Sequence, residues 1–325
     1  MGLLSNPRRQ FEKYIARHPN VRTIVIAGSF GRTSAIRALG HVLGQAFTVA
    51  MGINQAAEAP DIILLDFNSM SNFPNITPDF TVITSVKDEP SAGQTSEKAQ
   101  AYFQLANRSH YVIINREDVP AKDSKYLTNP NVVTYGDKLP ANFYFEKLDA
   151  DINGQTGNFV NPDGQRIHAH INLLGDHNLR PVTMAVAIAH FFEIPPEQII
   201  IGAESIHPLP GHLSPSRGIN HSIIIDDSAD ASFLSTELAL HTICMLEAPS
   251  RILVTGKLDR RTTIDKNLLS EVLILDPKAI PQADPIFKIF ATQLDLLDYL
   301  TTRLEPDGIV LLEHPLPDIT VSKIL

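Results

Sequence analysis

Residues 24–44 read IVIAGSFGRTSAIRALGHVLG. Thr23–Ala27 is a short, mostly β-branched run, residues 28–31 form a glycine turn, and Ile36, Leu39, Val42 and Leu43 then recur at helical spacing. The segment predicts a strand, a tight turn and a helix. Such a turn offers backbone N–H groups to an anion, and the helix start adds the positive end of its dipole. Gly28, Ser29, Gly31, Arg32, Thr33 and Ser34 are therefore candidate phosphate-binding residues. The Thr33 hydroxyl, just after a cationic residue, is a candidate Mg²⁺ ligand, as in phosphate loops generally. The strict pattern G-x-x-x-x-G-K-[ST] is not met: the glycine spacing is short and Arg32 replaces the lysine. A planar guanidinium and a compact ammonium are not interchangeable at such a site. Arginine can bind an anion, but it is less suited to placing a terminal phosphate. The same residues also read as a plain glycine turn in an α/β sheet.

Outward from this segment, apolar runs alternate with helical patterns, the signature of parallel α/β layers. Residues 61–67 (DIILLDF), 81–84 and 111–115 read as strands, and 96–107 reads as a helix with Ser96 as its cap. The turn signal NPDG at 161–164 predicts a hairpin over 156–171. Pro181 sits where the first turn of a helix over 182–192 would tolerate it, and Pro195-Pro196 ends that pattern. The stretch 207–218, HPLPGHLSPSRG, reads as a linker. A second series follows, with strands at 222–226, 251–255, 272–275 and 308–312 and helices at 233–245 and 293–304. The expected fold is α/β: a P-loop-type parallel-sheet central domain over residues 1–212, then a smaller Rossmann-like domain over 213–325.

The chain has 325 residues, 43% hydrophobic and 19% charged, enough to bury two cores without staples. Cys244 is the single cysteine and reads as a small buried hydrophobe. The N-terminal residues lack the apolar core of a signal peptide and read as an amphipathic helix with Phe11, Tyr14 and Ile15 on one face. These features lead to the expectation of a cytoplasmic location. No run of about 18 apolar residues would span a membrane. The net charge of −9 and the lack of a basic stripe weigh against a nucleic-acid partner.

The segments after the loop carry a family resemblance through their order. LLGDHNLRPVTMAVAIAHFFEIPPEQI, residues 173–199, resembles the Mur-ligase segment G-x-H-N-x-x-N and its alanine-rich helix, with Gly175, His177 and Asn178 matching. PLPGH, ending at His212, resembles the P-G-R element before the C-terminal domain. IIIDDSADASFLS, residues 223–235, resembles the opening of that domain, closest to the D-D-S-Y-N-A-N-P pattern of the D-Ala-D-Ala-adding member. RILVTGKLDR at 251–260 and GIVLLEH at 308–314 fall where the family has its next strand and its last one. The resemblance runs from about Val21 onward. It leaves out the family's N-terminal UDP-binding domain, as in folylpolyglutamate synthases.

The resemblance implies ATP and Mg²⁺ as cofactors. It implies His177 and Asn178 as further nucleotide-binding residues, and Asp66 beside Thr33 as a metal ligand standing in for the family's acidic residue. It also implies losses. Arg32 replaces the loop lysine, Pro90 falls on the metal-side histidine, and Gln104, counted from Ser96, falls on the carbamylated lysine. Pro181 falls on the second asparagine, His212 on the arginine of P-G-R, and Ala229, Asp230 and Ser232 on the tyrosine and asparagines. No catalytic residue is assigned. Asp226-Asp227 and Arg260-Arg261 also read as ordinary turn residues, and Lys87, Asp88 and Glu89 as a solvated loop. Two functions stay open: a divergent Mur-like protein with weak or absent catalysis, binding a nucleotide, a cell-wall precursor or a partner protein; and an active ATP-dependent amide ligase on a peptidoglycan-precursor or glutamate-type substrate. An unrelated P-loop phosphotransferase is a third.

Overall fold

The computed structural model describes residues 7–52, 59–67, 73–86, 97–120, 123, 125–229, 233–259, 261–276 and 284–313. The chain divides into two compact units. One holds Met1–Leu148, Thr156–Ile171 and His177–Ile206; the other holds Asp149–Gln155, Asn172–Asp176 and His207–Leu325.

In chain order the first sheet and its helices are α1 (Pro7–Arg17), β1 (Arg22–Ala27), α2 (Arg32–Leu43), β2 (Val49–Met51), β3 (Ile62–Asp66), β4 (Phe80–Ile83), α3 (Glu97–Ala106), β5 (Tyr111–Asn115), β6 (Val132–Gly136), β7 (Phe143–Asp151), β8 (Gly154–Val160), β9 (Arg166–Ile171), α4 (Asp176–Phe191) and α5 (Pro196–Glu204). Strand order is β2-β3-β1-β4-β5-β6-β7-β8-β9, parallel from β2 through β7. The unbroken apolar runs of β1 and β4 are explained by this: a central parallel strand is covered on both faces. Ile24, Val25, Ile26, Val82 and Ile83 have no exposed surface. Helix α2 buries Ala35, Ala38, Leu39, Val42 and Leu43, a stripe at helical spacing. In α1, Phe11 is buried against Val21 and Ile63, with Tyr14 and Ile15 packed beside it.

The second unit carries β10 (Ser214–Arg217), β11 (Ile223–Asp227), α6 (Phe233–Met245), β12 (Arg251–Thr255), β13 (Glu271–Leu275), β14 (Phe287–Phe290), α7 (Gln293–Thr301) and β15 (Ile309–Glu313). Its order is β10-β11-β15-β12-β13-β14, parallel except for the antiparallel edge pair β10–β11. The architecture is α/β throughout, with a P-loop-type first sheet and a Rossmann-like second one. Ile152 and Leu174 join the second unit's core with Leu213, Ile225 and Leu311. No helix among the described residues is long and apolar enough to cross a membrane.

Several sequence expectations need correction. Helix α4 starts at Asp176, so Pro181 lies inside it rather than in its first turn. A proline there has no N–H for the His177 carbonyl four residues back. The helix stands because its alanine-rich stripe is buried, Met184, Ala185, Ala187, Ile188 and Ala189 having no exposed surface. Pro195-Pro196 does not merely end a pattern: Pro195 precedes α5, an unforeseen helix, and Pro196 is its first residue. A third of the expected linker is strand β10, with Pro215 opposite Ile225. Proline is tolerated there because β10 is an edge strand.

Candidate functional site

β1 delivers Ala27 to the carboxyl edge of the first sheet, between β3 and β4. Asp66 ends β3 on one side, and Thr84-Ser85 follow β4 on the other. The turn is stitched to the β4 side. Thr84 Oγ1 donates to Phe30 O at 2.6 Å, and the Ser85 hydroxyl accepts from Phe30 N at 2.8 Å. Ser29 N donates to Ser85 O at 3.2 Å. Gly28 makes this approach possible. Its φ is +148°, and a Cβ there would lie 2.1 Å from Thr84 Oγ1 and 2.9 Å from Ser85 N.

The stitching corrects one expectation. The amides of Ser29 and Phe30 are turned to Ser85, so they do not present themselves to an anion. What remains is the first turn of α2. Ala35 N closes onto Gly31 O at 3.0 Å, while Gly31, the N-cap at φ 79°, gives no side-chain cap. The N–H groups of Arg32, Thr33 and Ser34 therefore have no intrahelical partner, as geometry requires of a helix start.

Arg32 turns back across this edge. Its Nε donates to Asp66 Oδ1 at 2.6 Å and its Nη1 to Gly28 O at 2.6 Å. The pair is partly open, with side-chain exposures of 29% and 36%. The structure thus brings Gly28, Arg32 and Asp66 together, with Thr33 and Ser34 on the adjoining helix turn.

His177 and Asn178 stand in the first turn of α4. The other end of α4 packs at the amino ends of the strands, where the Phe191 ring meets Phe80 at 5.8 Å and Tyr111 at 5.1 Å. Its first turns therefore lie toward the carboxyl edge. Arg180 anchors them there: Nη1 bonds Asp118 Oδ2 at 2.8 Å, while Nε and Nη2 bond the two oxygens of Asp137 at 2.8 and 2.7 Å. Asn115 Nδ2 bonds Asp118 Oδ2 and Thr84 O, both at 2.9 Å, which ties this network to the residue that holds the loop. Burial by itself would lower the Arg180 pKa, but the two carboxylates outweigh it and hold it above the usual arginine value.

Gln104 is exposed on α3, and Lys98 is exposed in that helix's first turn. Because α3 crosses between the parallel strands β4 and β5, it starts at the carboxyl edge and runs away from it. Six residues of rise, about 9 Å, separate the two positions. The position matched to the carbamylated lysine therefore lies down the helix from the loop, and Lys98 is nearer. Pro90, Ser96, Asp230, Ser232, Arg260, His314 and the Lys87–Glu89 loop lie outside the described residues.

In the second unit, Asp226 and Asp227 close β11 and are buried. Asp227 accepts from Leu213 N at 2.9 Å and Ser235 Oγ at 3.2 Å, and it lies in register with Glu313 on β15. Gly211, φ 74°, is so close to Ala229 that a Cβ would lie 2.7 Å from its Cβ. The P-G element and the D-D-S-A segment thus pack as one corner. Arg261 pairs with exposed Asp259 at 2.8 Å, a solvated loop contact.

Sequence reading missed Thr84, Ser85, Asn115, Asp118, Asp137 and Arg180. The available signal was position: small or polar residues directly after buried parallel strands gather on one edge, where ligands of open α/β sheets bind. Phosphate fits this edge, since three helix-start amides without an intrahelical partner and the Arg32 guanidinium belong to the same turn. A divalent cation fits the same residues poorly, because Arg32 already holds Asp66 Oδ1 and its positive charge would repel the ion. No cluster of three His, Cys, Asp or Glu suited to a metal occurs among the described residues.

Residues 71–189 match the Mur ligase middle domain. The UDP-N-acetylmuramoyl-tripeptide–D-alanyl-D-alanine ligase of Buchnera aphidicola is 24% identical over 253 residues, 70% of this chain and 55% of that protein. The chain spans about half the length of the curated relatives it matches. The MurF ligase of Thermotoga maritima, solved in complex with ADP, superposes with a TM-score of 0.71 at 13% identity, over 94% of this chain and 79% of that one. The folylpolyglutamate synthetase of Lactobacillus casei gives 0.67 at 16%, over 96% and 93%. Residues 71–189 thus resemble the Mur ligase middle domain, and the chain carries the fold that Mur ligases share with folylpolyglutamate synthetase.

Proposed function

We propose that this protein is a cytoplasmic Mur-type protein that holds the phosphates of a nucleotide on the first turn of α2, and that its ligase turnover is weak or absent. Residues 1–212 act as the nucleotide-binding central domain and 213–325 as the C-terminal domain. The observation that carries the reading is the Arg32 guanidinium, fixed between Asp66 and Gly28 O. The amides of Arg32, Thr33 and Ser34 receive the phosphates, and His177 and Asn178 approach the nucleotide from the start of α4. Forming an acyl phosphate from ATP concentrates negative charge that needs fixed cations. A guanidinium held by Asp66 is poorly placed to follow a phosphoryl group in transfer, whereas a lysine could.

One observation favours an active ligase on a peptidoglycan-precursor or glutamate-type substrate. Lys98 is exposed in the first turn of α3, the end of that helix nearer the carboxyl edge, and so is a candidate substitute for the loss read at Gln104.

Calorimetry with ATP, and ligation assays with UDP-MurNAc-peptides, glutamate-tailed acceptors and amino acids, decide between them. The expected result is weak ATP binding and ligation far below the usual range of about 1–1,000 per second. Turnover within that range, lost in Lys98→Ala, would establish the active ligase and end the non-catalytic reading.

A further inference from the structure

The poor fit between Asp66 and a metal ion has a consequence for how a nucleotide binds. We propose that Arg32 is the resident cation of the phosphate loop, so that nucleotide phosphates bind here without a divalent metal ion. This rests on the reading of the loop as a phosphate site.

The first argument is the supply of carboxylates. Mg²⁺ at a phosphate site is usually held by one or two carboxylates together with phosphate oxygens, and it gives up its water reluctantly. Along this edge three of the described acids are already matched to arginines. Asp66 binds Arg32 at 2.6 Å, and Asp118 and Asp137 both bind Arg180. A dication seated on Asp66 would lie beside the guanidinium that already holds Oδ1, and the two positive charges would repel.

The second argument is the guanidinium itself. Its donors form a rigid planar fork. Nε is committed to Asp66 and Nη1 to Gly28 O, while Nη2 has no partner among the described residues. Arg32 is also the first residue of α2, so this group and the helix-start amides belong to one short stretch of chain. An arriving phosphate meets an organic cation that already bridges to Asp66, the bridge a metal would otherwise form.

The test uses the full chain, with ADP and inorganic tripolyphosphate as probes, in calorimetry at matched ionic strength with EDTA or with Mg²⁺. Wild-type affinity should agree between the two buffers to within about threefold, well under the tenfold that 1.4 kcal/mol represents. Arg32→Ala, checked for folding by circular dichroism, should bind about tenfold more weakly in EDTA and recover with Mg²⁺, because Asp66 is then released to hold the ion. Arg32→Ala combined with Asp66→Asn should lose that recovery. Wild-type binding that weakens about tenfold or more in EDTA would overturn the inference and leave the phosphate site standing. Unchanged, metal-insensitive binding in Arg32→Ala would overturn it as well. Failure of either probe to bind wild type in both buffers would remove the phosphate site and this inference together.

Discussion

Two glycines three residues apart answer to different constraints. Gly28 is structural: Thr84 and Ser85 occupy the space a side chain would need, and φ lies where L-residues are strained. Gly28→Ala should cost about 1–3 kcal/mol for the backbone alone, with the Thr84 clash added, measured as a lowered midpoint of thermal unfolding. Gly31 has room, since a Cβ would find its nearest neighbour, Thr84 Cβ, at 3.7 Å. Its φ of 79° lies in the left-handed region that Asp tolerates better than most residues. A carboxylate at the N-cap also suits the helix dipole. Gly31→Asp should therefore fold with a nearly unchanged midpoint yet lose ADP binding in calorimetry, because its charge meets the incoming phosphate. Equal affinity in wild type and Gly31→Asp would remove residues 28–34 as the nucleotide site.

At the scale of elements, Arg180 fastens α4 to the ends of β5 and β6. Asp118 is only 6% exposed, and its charge is matched by this guanidinium and by Asn115. Arg180→Met would take the guanidinium away from that buried carboxylate, a loss of about 3–5 kcal/mol, visible in urea denaturation. Lysine should restore little, because Asp137 is gripped at both oxygens by a planar fork that an ammonium cannot reproduce. Full recovery in Arg180→Lys would mean that charge alone holds the helix start. The same contact helps α4 tolerate Pro181 one residue further on, which the helix's own backbone bonding does not favour.

Over the whole molecule, one buried phenol bears on alkaline stability. Burial raises the Tyr135 pKa well above its ordinary value of 10, nearby Asp118 adds to the rise, and Arg180 partly opposes it. Since the folded value is raised, the associated stability is fully present below pH 10 and drains away as pH climbs above that value. Tyr135→Phe should narrow the difference between unfolding free energies measured at about pH 8 and about pH 11. An undiminished alkaline loss in the variant would place the sensitive group elsewhere.

The α/β alternation, the strand–turn–helix at residues 23–43, the hairpin around 161–164 and the second strand–helix series beyond the proline-rich stretch were legible in the sequence. These are local facts: side-chain period, glycine and proline chemistry and run length belong to contiguous residues. The short strands β2, β6 and β14 escaped because a few residues carry too little pattern, and α5 escaped because its opening proline pair looked like an ending. The tertiary structure decided which groups meet at the sheet edge. Arg32 finds Asp66 34 residues away, and Arg180 finds Asp137 and Asp118 43 and 62 residues away. Parallel strands joined by crossover connections bring such residues side by side at intervals set by loop and helix lengths, and no sequence period encodes those intervals. So the glycine turn and its helix were legible from residues 28–43, while the partner that holds Arg32 was settled only when β3 paired with β1.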